Sequence, residues 1–110
     1  MIDLDRVAGN GHVHNLAGKP RGEAARKELK IDELDESSEP VVVKVPEHIY
    51  AISSSYFLGL FSRSVARYGS AERFLSRYQF DADATIMKHV LHGIDRCLSR
   101  SDSDQSLPRS

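Results

Sequence analysis

The chain has a single cysteine, Cys97, and no tryptophan among its 110 residues. One cysteine cannot form an internal disulfide, so a disulfide-stapled scaffold is excluded. Cys97 falls on an apolar helical stripe, the setting of a small buried hydrophobe rather than a reactive thiol. No stretch reaches the roughly 18 consecutive apolar residues that span a membrane. The first residues, MIDLDRVAG, are acidic and lack the apolar centre of a secretory signal. A cytoplasmic location is the default expectation. Charge of one sign is also missing: 15 Lys and Arg stand against 16 Asp and Glu, a formal net charge of −1. That balance gives no footprint for nucleic acid or an anionic membrane. The glycine patterns that cradle phosphates and the G-x-S-x-G nucleophile turn are absent as well.

Forty per cent of the residues are apolar, enough for one modest core. Ile2 and Leu4 alternate with polar residues, as in a short first strand. Gly9, Asn10 and Gly11 mark a turn. Residues 12–16, HVHNL, alternate weakly and are expected to pair back as a hairpin. Gly18, Pro20 and Gly22 form a turn that starts a first helix over residues 22–30, rich in good helix formers. The acidic run at 32–40, DELDESSEP, reads as a solvated loop.

The stretch at 41–61, VVVKVPEHIYAISSSYFLGLF, is the most informative. Three valines in a row predict a central strand buried on both faces, and Pro46 should end its pairing. Ser53 or Ser54 is placed to cap the following helix. Phe57, Leu60, Phe61, Val65 and Tyr68 recur at helical spacing on its core face, and Gly69 stops it. Ser70 caps a short helix carrying Phe74 and Leu75. Residues 78–80 read as a strand, and Asp81 or Asp83 caps a last helix with Ile86, Met87, Val90, Leu91, Ile94, Cys97 and Leu98 as its stripe. Strands alternating with helices imply an α/β domain: roughly four strands in a mostly parallel or mixed sheet, with three to four helices. It occupies residues 1–98. Residues 99–110 are polar and read as a disordered tail.

Three segments carry a family resemblance: GKPRGEAARKEL at 18–29, with Arg26 inside it; the 41–61 stretch with its Ile-Ser-Ser-Ser junction; and RYGSAERFLSRYQFDADATIMKHVLHGIDRCL at 67–98. In this order and spacing the chain resembles the STAS-like domain family of unknown function. That family is related to the STAS domains of sulphate transporters and anti-sigma factor antagonists. The STAS junction usually reads Asp-Ser-Ser-Gly or Asp-Ser-Ala-Gly, and phosphorylation of the serine after the aspartate breaks partner binding. Here Ser53 stands at the aspartate, Ser54 at the phosphorylated serine, and Tyr56 at a usually small residue. Leu58 and Gly59 stand where many STAS-like members have an acidic pair. The resemblance implies a non-enzymatic regulatory or protein-interaction module of a bacterial or phage cytoplasm. It implies no cofactor, and a protein partner such as a histidine-kinase-like ATPase or an anti-sigma-like switch protein.

The candidate partner-binding or phosphorylation residues are Ser53, Ser54, Ser55, Tyr56 and Tyr50, because they surround the strand-to-helix junction. Helix capping is the plainer role for the serines. No metal site is assigned. His12 and His14 share a side if they lie in a strand, but zinc needs three or four ligands. His89 and His92 fall off the apolar stripe, on a solvated face. Two alternatives stay open: a small enzyme or metal-dependent binder using His12, His14 and the junction serines, and a dimeric structural subunit. Truncation after Arg100 is expected to leave the thermal melting midpoint nearly unchanged, since the tail has too little apolar surface to offset its ordering entropy. A large drop would show that the tail docks.

Overall fold

The computed structural model describes residues 1–7, 14–37 and 39–106. The turn expected at Gly9–Gly11, His12 and the last four residues lie outside them. Strand β1, Ile2–Asp3, runs into a 3-10 turn, Leu4–Val7, and β2 is Asn15–Leu16. Helices α1, Lys19–Glu28, and α2, Ile31–Glu36, follow, then β3, Val41–Lys44, and β4, Ala51–Ile52. Helices α3, Ser54–Tyr68, and α4, Ala71–Arg77, lead to β5, Tyr78–Asp81, and α5, Ala84–Ser106.

Among the described residues every strand pairing is parallel. One sheet has the order β1-β3-β5, and β2 pairs with β4 in a second. The molecule is thus an α/β domain. Among the described residues five strands and five α-helices stand where four and three to four were expected, because β4 and α2 both add to the count. No hairpin joins β2 to β1: β2 pairs with β4 instead. Pro46 ends the β3 ladder as expected. Val45 N–H donates to Asp81 at 3.0 Å, and then a turn closes from Ile49 N–H to the Pro46 carbonyl at 3.1 Å.

β3 is the central strand of its sheet, but only one face is covered. Val41 and Val43 are buried, whereas Val42 is 40 % exposed and Lys44 lies beside it on the open face. The valine run therefore reflects strand propensity at Val42 rather than two-sided burial. Leu91, counted in the last helix's stripe, is also exposed.

α3 is the hub. Tyr56, Phe57, Leu58, Leu60, Phe61, Ser64 and Val65 are all buried, so little of its first three turns meets water. It packs against α1 on one side and α5 on another. Its ends follow the sequence signals: the Ser53 hydroxyl accepts from Tyr56 N–H at 3.0 Å, and Gly69 takes the left-handed conformation that stops the helix. Ser70 caps α4 through Arg73 N–H, and Asp83 caps α5 through Ile86 N–H at 2.8 Å. On α5 Cys97 is buried and Leu98 half-buried, and the helical backbone runs on through Ser106 into the segment read as a tail.

Two glycines set the approach of α1 to α3. A Cβ on Gly22 would lie 2.1 Å from the Tyr56 carbonyl oxygen, and one on Gly59 would lie 2.2 Å from that of Lys19. The two backbones touch where a side chain would otherwise stand. Gly22→Ala is expected to destabilise the fold by about 1–3 kcal/mol despite Ala's better helix propensity, because the helices must separate. A chemical-denaturation midpoint at or above that of the parent would contradict this packing.

Candidate functional site

The junction comes first. β4 lies along β2, with Tyr50 N–H donating to the His14 carbonyl at 2.7 Å and Ser53 N–H to that of Leu16 at 2.8 Å. The chain then enters α3. Ser53 is the cap, so its hydroxyl is committed to the helix. Ser54, the other candidate cap, is instead linked to the Arg96 guanidinium of α5 at 3.3 Å. Ser55 is exposed. Tyr50 is 64 % exposed and stacks on the His14 ring, with centroids 5.2 Å apart and planes 14° from parallel. Tyr56 was expected at the surface but is only 2 % exposed. Helical geometry explains this: Tyr56 precedes Leu60 by one turn on the face that meets the core. The structure thus brings Ser54, Ser55 and Tyr50 to the accessible junction and withdraws Tyr56.

The histidines around it have fixed roles. A carbonyl can only accept, so His14 Nδ1 donates to the His48 carbonyl at 2.8 Å, and the neutral ring keeps its lone pair on Nε2. His48 Nε2 lies 2.9 Å from the Asp5 carboxylate. His89 Nδ1 accepts from Ile52 N–H at 3.2 Å, which holds α5 against β4. It is half-buried, not on a solvated face, whereas His92 is exposed. Among the described residues no group of three or more His, Cys, Asp or Glu side chains could hold a metal ion.

A second polar centre lies where a solvated loop was expected. The acidic run folds into α2 and turns Asp35 into the core. Asp35 Oδ2 accepts from Arg26 Nη2 at 2.9 Å and from Ser64 Oγ at 2.8 Å, and Oδ1 accepts from the Tyr78 hydroxyl at 2.5 Å. Arg26 Nη1 donates to the Leu60 carbonyl and to Ser64 Oγ, while Nε and Nη2 both donate to Asp32 Oδ1. Arg26, Asp35 and Ser64 are all buried. One signal for this centre was available in the sequence. Arg26 falls between Ala25 and Leu29 on the buried side of α1, and a buried guanidinium needs a carboxylate.

The two buried phenols differ in kind. Burial pushes the Tyr56 hydroxyl up to about 12, and its oxygen has no hydrogen-bond partner among the described residues. The Tyr78 hydroxyl is pushed up by burial first, then by its bond to Asp35 and that carboxylate's charge. No protein-family model, curated protein or solved structure matches the chain.

Tyr78→Phe is expected to cost about 1–3 kcal/mol, because it strips a donor from a buried carboxylate. Tyr56→Phe should leave stability unchanged or raise it, because it removes a buried hydroxyl with no hydrogen-bond partner among the described residues. Both phenols are raised in the folded state. Their contribution is therefore complete below the ordinary tyrosine value near 10 and is lost as pH rises from there towards and beyond 12. Urea midpoints between pH 8 and 12 should fall across that window, and less steeply in Tyr56→Phe. A flat profile for the parent would overturn the account of both groups.

Proposed function

We propose that the chain is a non-enzymatic regulatory or protein-interaction module of STAS-like type that meets a protein partner at the β4–α3 junction. The observation that carries this reading is the exposed Tyr50, stacked on His14, two strand residues before a run of accessible hydroxyls. Tyrosine is enriched at interface centres, and polar groups surround such a centre at the rim. The junction hydroxyls support it too. Ser53 is occupied as a cap, and Ser54 bonds an arginine, a cation and not the base that activates a nucleophile. A partner of the histidine-kinase-like ATPase or anti-sigma-like type is the one the family resemblance suggests, and Ser54 is the residue at which phosphorylation would act. Self-association through the same surface gives the dimeric alternative.

The metal-dependent alternative has one observation in its favour. His14 donates one ring nitrogen to a carbonyl and so presents the other, as ligating histidines usually do. A zinc stoichiometry measurement separates it from the interaction reading.

Ser54→Asp should fold normally, because Ser53 remains as the cap, yet lose the partner, since it places a charge at the centre of the surface. Ser54→Ala should keep both fold and partner. Ser53→Ala should cost about 1 kcal/mol of stability through loss of the cap. Co-purification from the native host with mass-spectrometric identification reads out the partner. If Ser54→Asp and Tyr50→Ala both retain the parent's partners, the junction is a helix start and nothing more.

A further inference from the structure

Arg26 divides its donors between the core and a groove. Nη1 serves the Leu60 carbonyl and Ser64, and one Nη2 proton serves Asp35. The remaining two, on Nε and Nη2, converge on a single oxygen, Asp32 Oδ1, at 2.9 and 2.6 Å. The side chains differ sharply in exposure: 8 % for Arg26 and 68 % for Asp32. An exposed carboxylate therefore covers the outer edge of a buried cation.

That edge opens on a groove of about 440 Å³ between α1 and α3, within the range of small-ligand pockets. Gly59, Lys27, Arg63 and the Ser62 hydroxyl line it. Glu23 is the one other carboxylate among its lining residues. With Asp32 turned away, three cations face one anion. The Arg26 guanidinium beside Asp32 already holds its carboxyl below the usual value, and the Arg63 charge adds to the effect.

We propose that this groove takes a phosphoryl group, which displaces Asp32 from Arg26 and binds to Arg26 Nε and Nη2, Lys27, Arg63 and Ser62. The Nε–Nη2 edge of a guanidinium fits two oxygens at once, and Asp32 supplies it with one. A phosphate monoester carries about −1.5 to −2 charge against the single charge of a carboxylate. Asp32 is already 68 % exposed and so returns to water without crossing the core. Arg26 keeps Asp35, so the core is undisturbed by the exchange.

The test is an NMR titration of the full chain with inorganic phosphate, ionic strength held constant with chloride. Saturable shifts are expected at the Arg26 Nε–H and at the Gly59 and Ser62 amides. Asp32→Asn should tighten binding and Arg63→Gln should weaken it, each by about tenfold, the size of one charge-assisted contact. Both positions are exposed, and unchanged melting midpoints would confirm that the variants fold. A second arm compares glycerol phosphate with a phosphoserine peptide: tighter peptide binding assigns the phosphoryl group to a protein, and equal binding to a small molecule. The proposal fails if the parent shows no saturable shift at these three positions, even if Asp32→Asn binds, because Asp32 is then a permanent partner. It also fails if Arg63→Gln leaves the affinity unchanged.

Discussion

The ion pair between Arg26 and Asp35 is the constraint on which the arrangement of the helices rests. A full positive charge sits on the buried side of α1, and removing it from water carries a penalty of several kcal/mol. Its partners come from three other places in the chain: Asp35 on α2, Ser64 and the Leu60 carbonyl on α3, and through Asp35 the Tyr78 hydroxyl on β5. Removing either member of such a pair typically costs about 3–5 kcal/mol, because the other is left buried and charged. A pair of this kind contributes less to net stability than to the choice among packings. Only an arrangement that turns α2 back against α1 lets Asp35 reach the guanidinium.

The glycine crossing and the ion pair depend on each other. Gly22 and Arg26 are one helical turn apart, so they share a face of α1. On α3, Gly59 is followed directly by Leu60, whose carbonyl accepts from Arg26. The missing Cβ atoms bring the two backbones close enough for the guanidinium to reach that carbonyl and the Ser64 hydroxyl. A wider crossing would leave Arg26 buried with fewer acceptors. Sterics at the glycines thereby set the electrostatics one turn further along.

Local signals made most of the fold legible. The cap at Ser70, the stop at Gly69, the end of pairing at Pro46 and most of the α3 and α5 stripes depend on residues within a turn or two, and the structure has them where the sequence places them; of the paired cap candidates it takes Ser53 over Ser54 and Asp83 over Asp81. The failures share a different cause. Helix α2 is six residues long and highly acidic, and one turn apart it buries Ile31 and Asp35, so its place rests on a single apolar anchor and on a charge from α1 that no local pattern announces. Adjacency in sequence points β2 to a hairpin, since neighbouring strands often pair, but its partner lies 36 residues downstream. Val42 and Leu91 continue apolar patterns past the edge of the core, which sequence alone cannot locate. At the junction the accessible hydroxyls and Tyr50 were legible. The burial of Tyr56 was not, because it depends on which side of α3 faces the core in the first turn.

The way α3 is held limits how a modification at its start could act, on the reading proposed above. Ser54 and Ser64 are ten residues apart on one helix, about 15 Å along its axis. Near one end Phe57 fills the space above Gly93 of α5, where a Cβ would lie 2.5 Å from the ring. Towards the other end Arg26 and Asp35 grip Ser64. A buried helix fixed at two points by close packing cannot slide or tilt to relieve a new charge, since dense interiors move between discrete packings or not at all. A phosphate on Ser54 would instead find Arg96, already within hydrogen-bond reach, and the free N–H groups of the first turn. The charge would be accommodated where it is placed, and the interior would not register it. Any loss of a partner would then come from the altered surface between Tyr50 and Ser55, not from a change of fold.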